Sequence, residues 1–386
     1  MKEFRSEYDD EELEDFGKDE EKEQPGPGKR RILAMKRKIR TLTFVSVLAV
    51  ITAFLAVASL LIVLIKTSFS TGESGGIFVK MNEKTESGKV GEAESEEAEE
   101  SLEAIENEYK AEGEQEMLRT IRQSLEDGSS VLSVLRGLYP DTVVYLDSGR
   151  YYFHTVNTDL QLSEFMDENF VTDENGRMTY MGDDGVITHA GIDVSKFQGE
   201  IDWAKVKESG IEFAIIRAGL RGYGAEGKIV EDETYRANIE GAIANGIKVG
   251  VYFFSQAVNE EEAKEEAQTI LDLVEGYPLD YPIYIDIEQV ADSASRTRNV
   301  SPETRTAVVR TFLSVVEGAG YQGGIYGNLK SFLMLLDVKQ LEEYPKWYAA
   351  YSMPLYYPYR YHMLQYSENG NVDGINGHVD MNIFFE

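Results

Sequence analysis

The stretch Ile283-Tyr284-Ile285-Asp286-Ile287-Glu288 carries two acids in an otherwise apolar, β-branched run. Such composition favours an extended strand, and strand side chains alternate between faces. Asp286 and Glu288 therefore face the same way, about 6.5–7 Å apart along the chain. A single acid at a strand end more often caps a helix or makes a turn. Two of them on an apolar strand are different, because burying a carboxylate pair without a basic neighbour is costly. If one carboxyl is held protonated by the charge of the other, the pair is the apparatus for general-acid cleavage of an acetal.

Working outward, short apolar runs of strand character recur at 191–195, 213–219, 248–255, 323–328, 346–351, 362–367 and 379–385. Helical pattern fills 203–209, 234–245, 260–275 and 302–319. Eight strands interleaved with helices predict an α/β fold, an irregular β/α barrel. Irregularity is expected from residue 329 onward, where the connections are too short for full helices. In such barrels the C-terminal strand ends form the active-site face. Asp193 lies in the first strand, within Gly191-Ile192-Asp193-Val194, and Asp380 in the last, within Val379-Asp380-Met381-Asn382. Asp380 comes early in its strand, which requires a bulge or a displaced boundary. Four acids from three strands are thus expected at one mouth. Tyr252, Tyr326, Trp347 and Tyr351, at strand ends, are candidates for stacking on sugar rings, since flat aromatic faces suit pyranoses.

The rest of the 386-residue chain reads differently. Residues 1–28 are strongly acidic and are followed by a basic cluster, Lys29, Arg30, Arg31, Lys36, Arg37, Lys38 and Arg40. The run 41–65 carries no charge. As a helix it would be about 37 Å long, against a hydrocarbon core of about 30 Å. It is expected to be a transmembrane helix, with the N-terminus cytoplasmic and the C-terminal body extracytoplasmic by the positive-inside bias. Residues 66–129 are expected to be an acidic helical stalk, with a helix over about 94–126 from three-and-four spacing. A solvated spacer is favoured there over self-association, because the apolar positions do not join into one heptad register. Residues 130–186 predict a small β-containing module, with a hairpin around Asp147-Ser148-Gly149 and a third strand at 177–181. The catalytic body is then 187–386, preceded by a tail (1–40), an anchor (41–65), the stalk and the module.

Composition limits the chemistry. A net charge of −31 argues against general nucleic-acid binding, which needs basic surface. The absence of cysteine removes disulfides, thiolate nucleophiles and Cys-ligated metals, and four scattered histidines offer little for a metal. No metal and no cofactor are expected. Gly222-Tyr223-Gly224-Ala225-Glu226-Gly227 is formally a dinucleotide fingerprint, but no apolar helix starts at its third glycine.

From 186 to 386 the sequence resembles glycoside hydrolase family 25, the muramidases (lysozymes) of phages, streptomycetes and Gram-positive bacteria. The resemblance is carried by Gly191-Ile192-Asp193-Val194-Ser195, Phe197-Gln198-Gly199, Ile201-Asp202-Trp203 and Gly250-Val251-Tyr252. It continues through Asp286-Ile287-Glu288, Ile325-Tyr326, Trp347-Tyr348-Ala349-Ala350-Tyr351, Gln365-Tyr366 and Val379-Asp380-Met381-Asn382. It implies cleavage of the β-1,4 bond between N-acetylmuramic acid and N-acetylglucosamine. Glu288 matches the proton donor, and Asp286 the acid that assists attack by the substrate's 2-acetamido oxygen, with an inverting route as the alternative. Asp193 and Asp380 match the remaining acids, and Gln365 joins the aromatic residues as a substrate contact. Where many members have His, this chain has Phe253. The implied partners are peptidoglycan glycan strands, with the lipid bilayer through 41–65. A rival from another class is a catalytically idle glycan clamp or scaffold, which loss of the acid pair would favour.

Overall fold

The computed structural model describes residues 89–182 and 185–386. Among the described residues no helix is long and apolar enough to cross a membrane. The expected transmembrane helix at 41–65 lies outside them, so the expected fold is corrected for the described residues, which include no membrane-spanning helix. Among the described residues of the stalk region, α1 (Lys89–Glu126) is the helix. It starts a few residues before the expected boundary, and its apolar side chains Ile105, Tyr109, Leu118 and Leu125 are exposed.

Gly128–Glu386 belongs to a compact unit of its own. It opens with α2 (Val131–Leu138), capped by Ser130 accepting from the Ser133 amide. The hairpin of β1 (Thr142–Asp147) and β2 (Arg150–Thr155) follows, and then the antiparallel pair β3 (Phe170–Thr172) and β4 (Met178–Tyr180). Ser148 and Gly149 both have positive φ, 49° and 72°, the two-residue turn that matches strand twist.

The remainder runs β5 (Thr188–Val194), α3 (Trp203–Glu208), β6 (Phe213–Arg221), β7 (Ile229–Glu231) and α4 (Tyr235–Ala244). It continues with β8 (Lys248–Phe254), α5 (Glu260–Val274), β9 (Ile283–Asp286), α6 (Pro302–Gly318) and β10 (Gly323–Asn328). The last three strands are β11 (Lys346–Ala349), β12 (Met363–Gly370) and β13 (Val379–Phe385). Each strand pairs with the next around a ring, and β5 pairs with β6 to close it; β7 is a hairpin partner of β6 outside the ring. This is the eight-stranded barrel expected from the sequence. Seven strands are parallel, but β13 is antiparallel to both β12 and β5.

Alternation along the strands sorts the side chains into two layers. Phe213, Ile215, Tyr284, Tyr326, Trp347 and Met363 form one buried cluster, the plug of the barrel. Ile192, Ile216, Val251, Phe253 and Ile285 belong to a second cluster with Val309 and Phe312 of α6, between sheet and helices. Two glycines make room for the plug. A Cβ on Gly191 would lie 2.2 Å from the Phe213 ring, and one on Gly324 would lie 2.5 Å from that of Tyr284.

The helical layer is incomplete. Between β10 and β11 there are only short turns at Ser331–Leu335 and Val338–Leu341, and β11 joins β12 without a helix. Part of the 130–186 segment lies there instead. The Ser163 amide donates to the Pro358 carbonyl, and the Arg360 amide to that of Gln161, each at 2.9 Å. Phe165 stacks on Phe385 with ring centroids 4.1 Å apart, and Phe170 and Tyr180 close around it. Aromatic surface does the covering that a crossover helix does elsewhere, because an uncovered apolar sheet face would forfeit its burial free energy.

Candidate active site

The ladder holds its pleat beyond the last residue of β9. The Ser255 amide donates to the Asp286 carbonyl at 3.0 Å, and the Ile287 amide to the Tyr326 carbonyl at 3.1 Å. Asp286 and Glu288 therefore keep strand alternation and share the inward face at the C-terminal end. Across the ring, Asp193 ends β5 and stands opposite Asp380 in the β5–β13 register. Because β13 runs against its neighbours, its beginning lies at the C-terminal end of the others. The early position of Asp380 thus needs no displaced boundary, and the four acids meet at one mouth.

A chain of amides orients Asp193. Its Oδ2 accepts from Gln365 Nε2 at 2.7 Å and from Asn382 Nδ2 at 2.8 Å. Gln365 Oε1 in turn accepts from the hydroxyls of Tyr326 and Tyr351, each at 2.8 Å. Asn382 Oδ1 accepts from the Trp347 indole at 2.8 Å. With both amide oxygens engaged by donors, both NH₂ groups must point at Asp193.

Burial dominates the proton affinities. Burial and the charge of Asp193 push the Glu288 carboxyl up to about 7. Burial, Glu288 and Asp193 push Asp286 well above the usual carboxylate range, and the Arg217 guanidinium pulls it back. Asp380 is raised by burial and by Asp193, to which it is hydrogen-bonded; Asp193 is raised by burial and lowered by its amide donors. Four acids in one water-poor mouth cannot all ionise, so they share protons as a coupled set. Asp286 Oδ1 is buried with no hydrogen-bond partner among the described residues.

The aromatic candidates divide by exposure. Tyr351 is 46% exposed, whereas Tyr326 and Trp347 are buried and pack on each other at 4.4 Å between centroids. Tyr252 is half-buried and meets Trp347 edge-on. Only Tyr351 among these presents a largely open ring; Tyr326, Trp347 and Gln365 brace the acids from beneath. Phe253 is fully buried between sheet and helices, away from the mouth. The glycine-rich run 222–227 is the turn joining β6 to β7.

Arg217 and Asn382 belong to the site and were not singled out from the sequence. Arg217 shares the inward parity of Phe213 and Ile215, and its Nε donates at 2.7 Å to buried Asp232. A lone arginine inside an apolar strand was the available signal. Asn382 follows Asp380 by two residues, so alternation alone would have placed it on the same face. A cavity of about 240 Å³ beside Lys346 and His362, at the opposite strand ends, contains none of the four acids.

Comparison with known proteins shows what the chain is similar to. The sequence model of a family described as Glycosyl hydrolases family 25 matches residues 192–375, which include Asp193, Asp286 and Glu288. The Escherichia coli K12 protein YegX, described as uncharacterized, is 32% identical over 202 residues, covering 50% of this chain and 68% of that protein. The autolytic lysozyme of Clostridium acetobutylicum is 29% identical over 197 residues, covering 51% of this chain and 56% of the lysozyme. Among solved structures, the modular autolysin LytC of Streptococcus pneumoniae, in complex with a synthetic peptidoglycan ligand, superimposes with a TM-score of 0.48 at 23% identity. That superposition covers 64% of this chain and 57% of LytC, so the chain spans little more than half the length of LytC and of the clostridial lysozyme.

Proposed function

From the premise that this chain belongs to glycosyl hydrolases family 25 and is a glycoside hydrolase, we propose that it cleaves the β-1,4 bond between N-acetylmuramic acid and N-acetylglucosamine in peptidoglycan. The observation that carries the reading is the Glu288 carboxyl, held near 7 in a mouth it shares with buried Asp193 and Asp286. A group with that proton affinity is protonated often enough at neutral pH to donate, and basic enough afterwards to take a proton from water. Glu288 gives its proton to the glycosidic oxygen as the bond to the muramic acid C1 breaks. Asp286, with its free buried oxygen, receives the acetamido N–H and stabilises the positive charge that develops as the acetamido oxygen closes on C1. Water then opens that ring and returns a proton to Glu288, so the configuration at C1 is retained. Asp193, hydrogen-bonded by Asp380 and by its two amide donors, holds negative charge beside Glu288 and keeps its carboxyl protonated. Peptidoglycan lies outside the cell membrane, and the catalytic unit would work there.

The test is digestion of purified peptidoglycan by the full chain, wild type beside Glu288→Gln, with mass spectrometry after borohydride reduction. Fragments ending in reduced muramic acid, present with wild type and missing with the variant, are the expected result. Fragments ending in reduced glucosamine would overturn the bond assignment. Intact glycan from wild type, with normal pelleting on the wall, would make the protein a glycan clamp.

A further inference from the structure

The β1–β2 hairpin has two aromatic faces with different fates. On the inner face Tyr145 is buried and stacks with Tyr152 and His154, at 5.4 and 5.8 Å between centroids. On the outer face Tyr151 and Phe153, two residues apart on β2, are 40% and 48% exposed. Tyr139, at the end of α2, is also exposed and meets Phe153 edge-on at 5.1 Å. Three large aromatic rings thus form an open strip on a small, rigid sheet.

Two contacts fix the hairpin and α2 to chain that leaves the C-terminal strand ends of the barrel. Asp147, at the hairpin turn, pairs with Lys330, two residues beyond the C-terminal end of β10. The Arg136 guanidinium of α2 lies 3.4 Å over the ring of Tyr356, in the connection that leaves the mouth end of β11. Lys330 and Tyr356 therefore both sit on chain issuing from the same strand ends that carry the acids. Arg150, exposed next to Tyr151, adds a positive charge.

We propose that Tyr139, Tyr151 and Phe153 form a stacking strip for the N-acetylated glycan strand outside the barrel mouth, with Arg150 meeting carboxylates of the attached peptides. The inference rests on the peptidoglycan reading of the mouth and extends it from one cleaved bond to a length of polymer. Flat rings present apolar faces to the axial C–H side of pyranoses, and a polymer longer than the mouth gains from a second contact on the same rigid body. The turn of the hairpin that carries Tyr151 and Phe153 is held by Lys330 at the mouth end of β10, which favours the glycan strand over any other occupant.

The experiment compares the full chain with its Tyr151→Ser/Phe153→Ser double variant on two substrates: insoluble peptidoglycan, and the soluble tetrasaccharide of two disaccharide repeats. Loss of two stacking platforms is expected to raise KM for the polymer about tenfold. kcat, and tetrasaccharide hydrolysis, should stay as in wild type. The Tyr151→Phe/Phe153→Tyr variant should restore the polymer KM. An unchanged polymer KM, or equal losses on both substrates, overturns the strip. An unchanged KM with altered sedimentation of the protein would assign the face to a second copy, and also overturns it. A wild type that cleaves neither substrate overturns the muramidase reading instead. The strip is then judged by pelleting with insoluble peptidoglycan, where equal pelleting of wild type and double variant refutes it.

Discussion

The four acids differ in what their neighbours do to them, and that difference sets the pH behaviour. In the proposed role Glu288 donates only while protonated, so activity should fall as pH rises through about 7, the value to which burial and Asp193 lift it. Removing the Asp193 charge in Asp193→Asn should lower the Glu288 affinity and move this alkaline limb down, by about half to one pH unit. A pH–kcat profile checks it; a limb that stays or moves up contradicts the electrostatic role. Glu288→Gln should lower kcat by roughly 10²–10⁴-fold, the usual contribution of a positioned proton donor. Arg217 acts on the opposite limb. It opposes protonation of Asp286, so replacing it together with its buried partner, as Arg217→Gln/Asp232→Asn, should raise the acidic limb. The paired substitution avoids leaving Asp232 buried and uncompensated. At this scale the sequence was legible where geometry is local: alternation alone put Asp286 and Glu288 on one face. The Asp193–Gln365–Asn382 chain was not legible as a bonded set, since its members come from three strands that meet only on closure.

The eight strands were legible as elements because each is a short apolar run bounded by polar or glycine-rich turns. Their directions were not. Alternation and composition are the same for a strand run either way, so Asp380 looked misplaced under the assumption that all strands run parallel. The available signal was the connection between β12 and β13, residues 371–378, which is too short for a crossover helix and suits an antiparallel return. Glycine positions were also silent until the plug was seen. Gly191→Ala would drive a methyl into the Phe213 ring, which is fixed between Tyr281 and Phe384. Overpacking of this kind costs about 1–3 kcal/mol, and thermal unfolding should report a fall in Tm of about 2–10 °C. An unchanged Tm would mean that the plug yields more readily than its packing implies.

The whole molecule differs from its sequence reading chiefly in how 130–186 relates to the barrel. Its hairpin and the strand at 177–181 were legible from turn residues and alternation, but β3 was not read, and neither was the docking, since no local pattern records which distant surface a Phe will meet. Phe165 touches Phe170, Tyr180, Tyr361 and Phe385, and so ties the segment to both the β11–β12 connection and β13. Phe165→Ala should destabilise the unit by about 2–4 kcal/mol, as deletion of a partly buried aromatic does. Urea unfolding would measure it, and a cost below about 0.5 kcal/mol would show the segment to be a loosely attached cover. A barrel cut off at 186 would lose this aromatic cover altogether, which is why activity assays belong on the full chain.

One consequence follows from the reversed strand β13. Protein synthesis delivers β5, with Asp193, almost two hundred residues before Asp380 and Asn382. A growing chain that has reached only β12 has Asp286 and Glu288, but Asp193 still lacks both the carboxyl and the amide that face it from β13. The ring is also open between β12 and β5, so the mouth has no fixed shape. The four-acid mouth is therefore complete only once β13 has docked between β12 and β5.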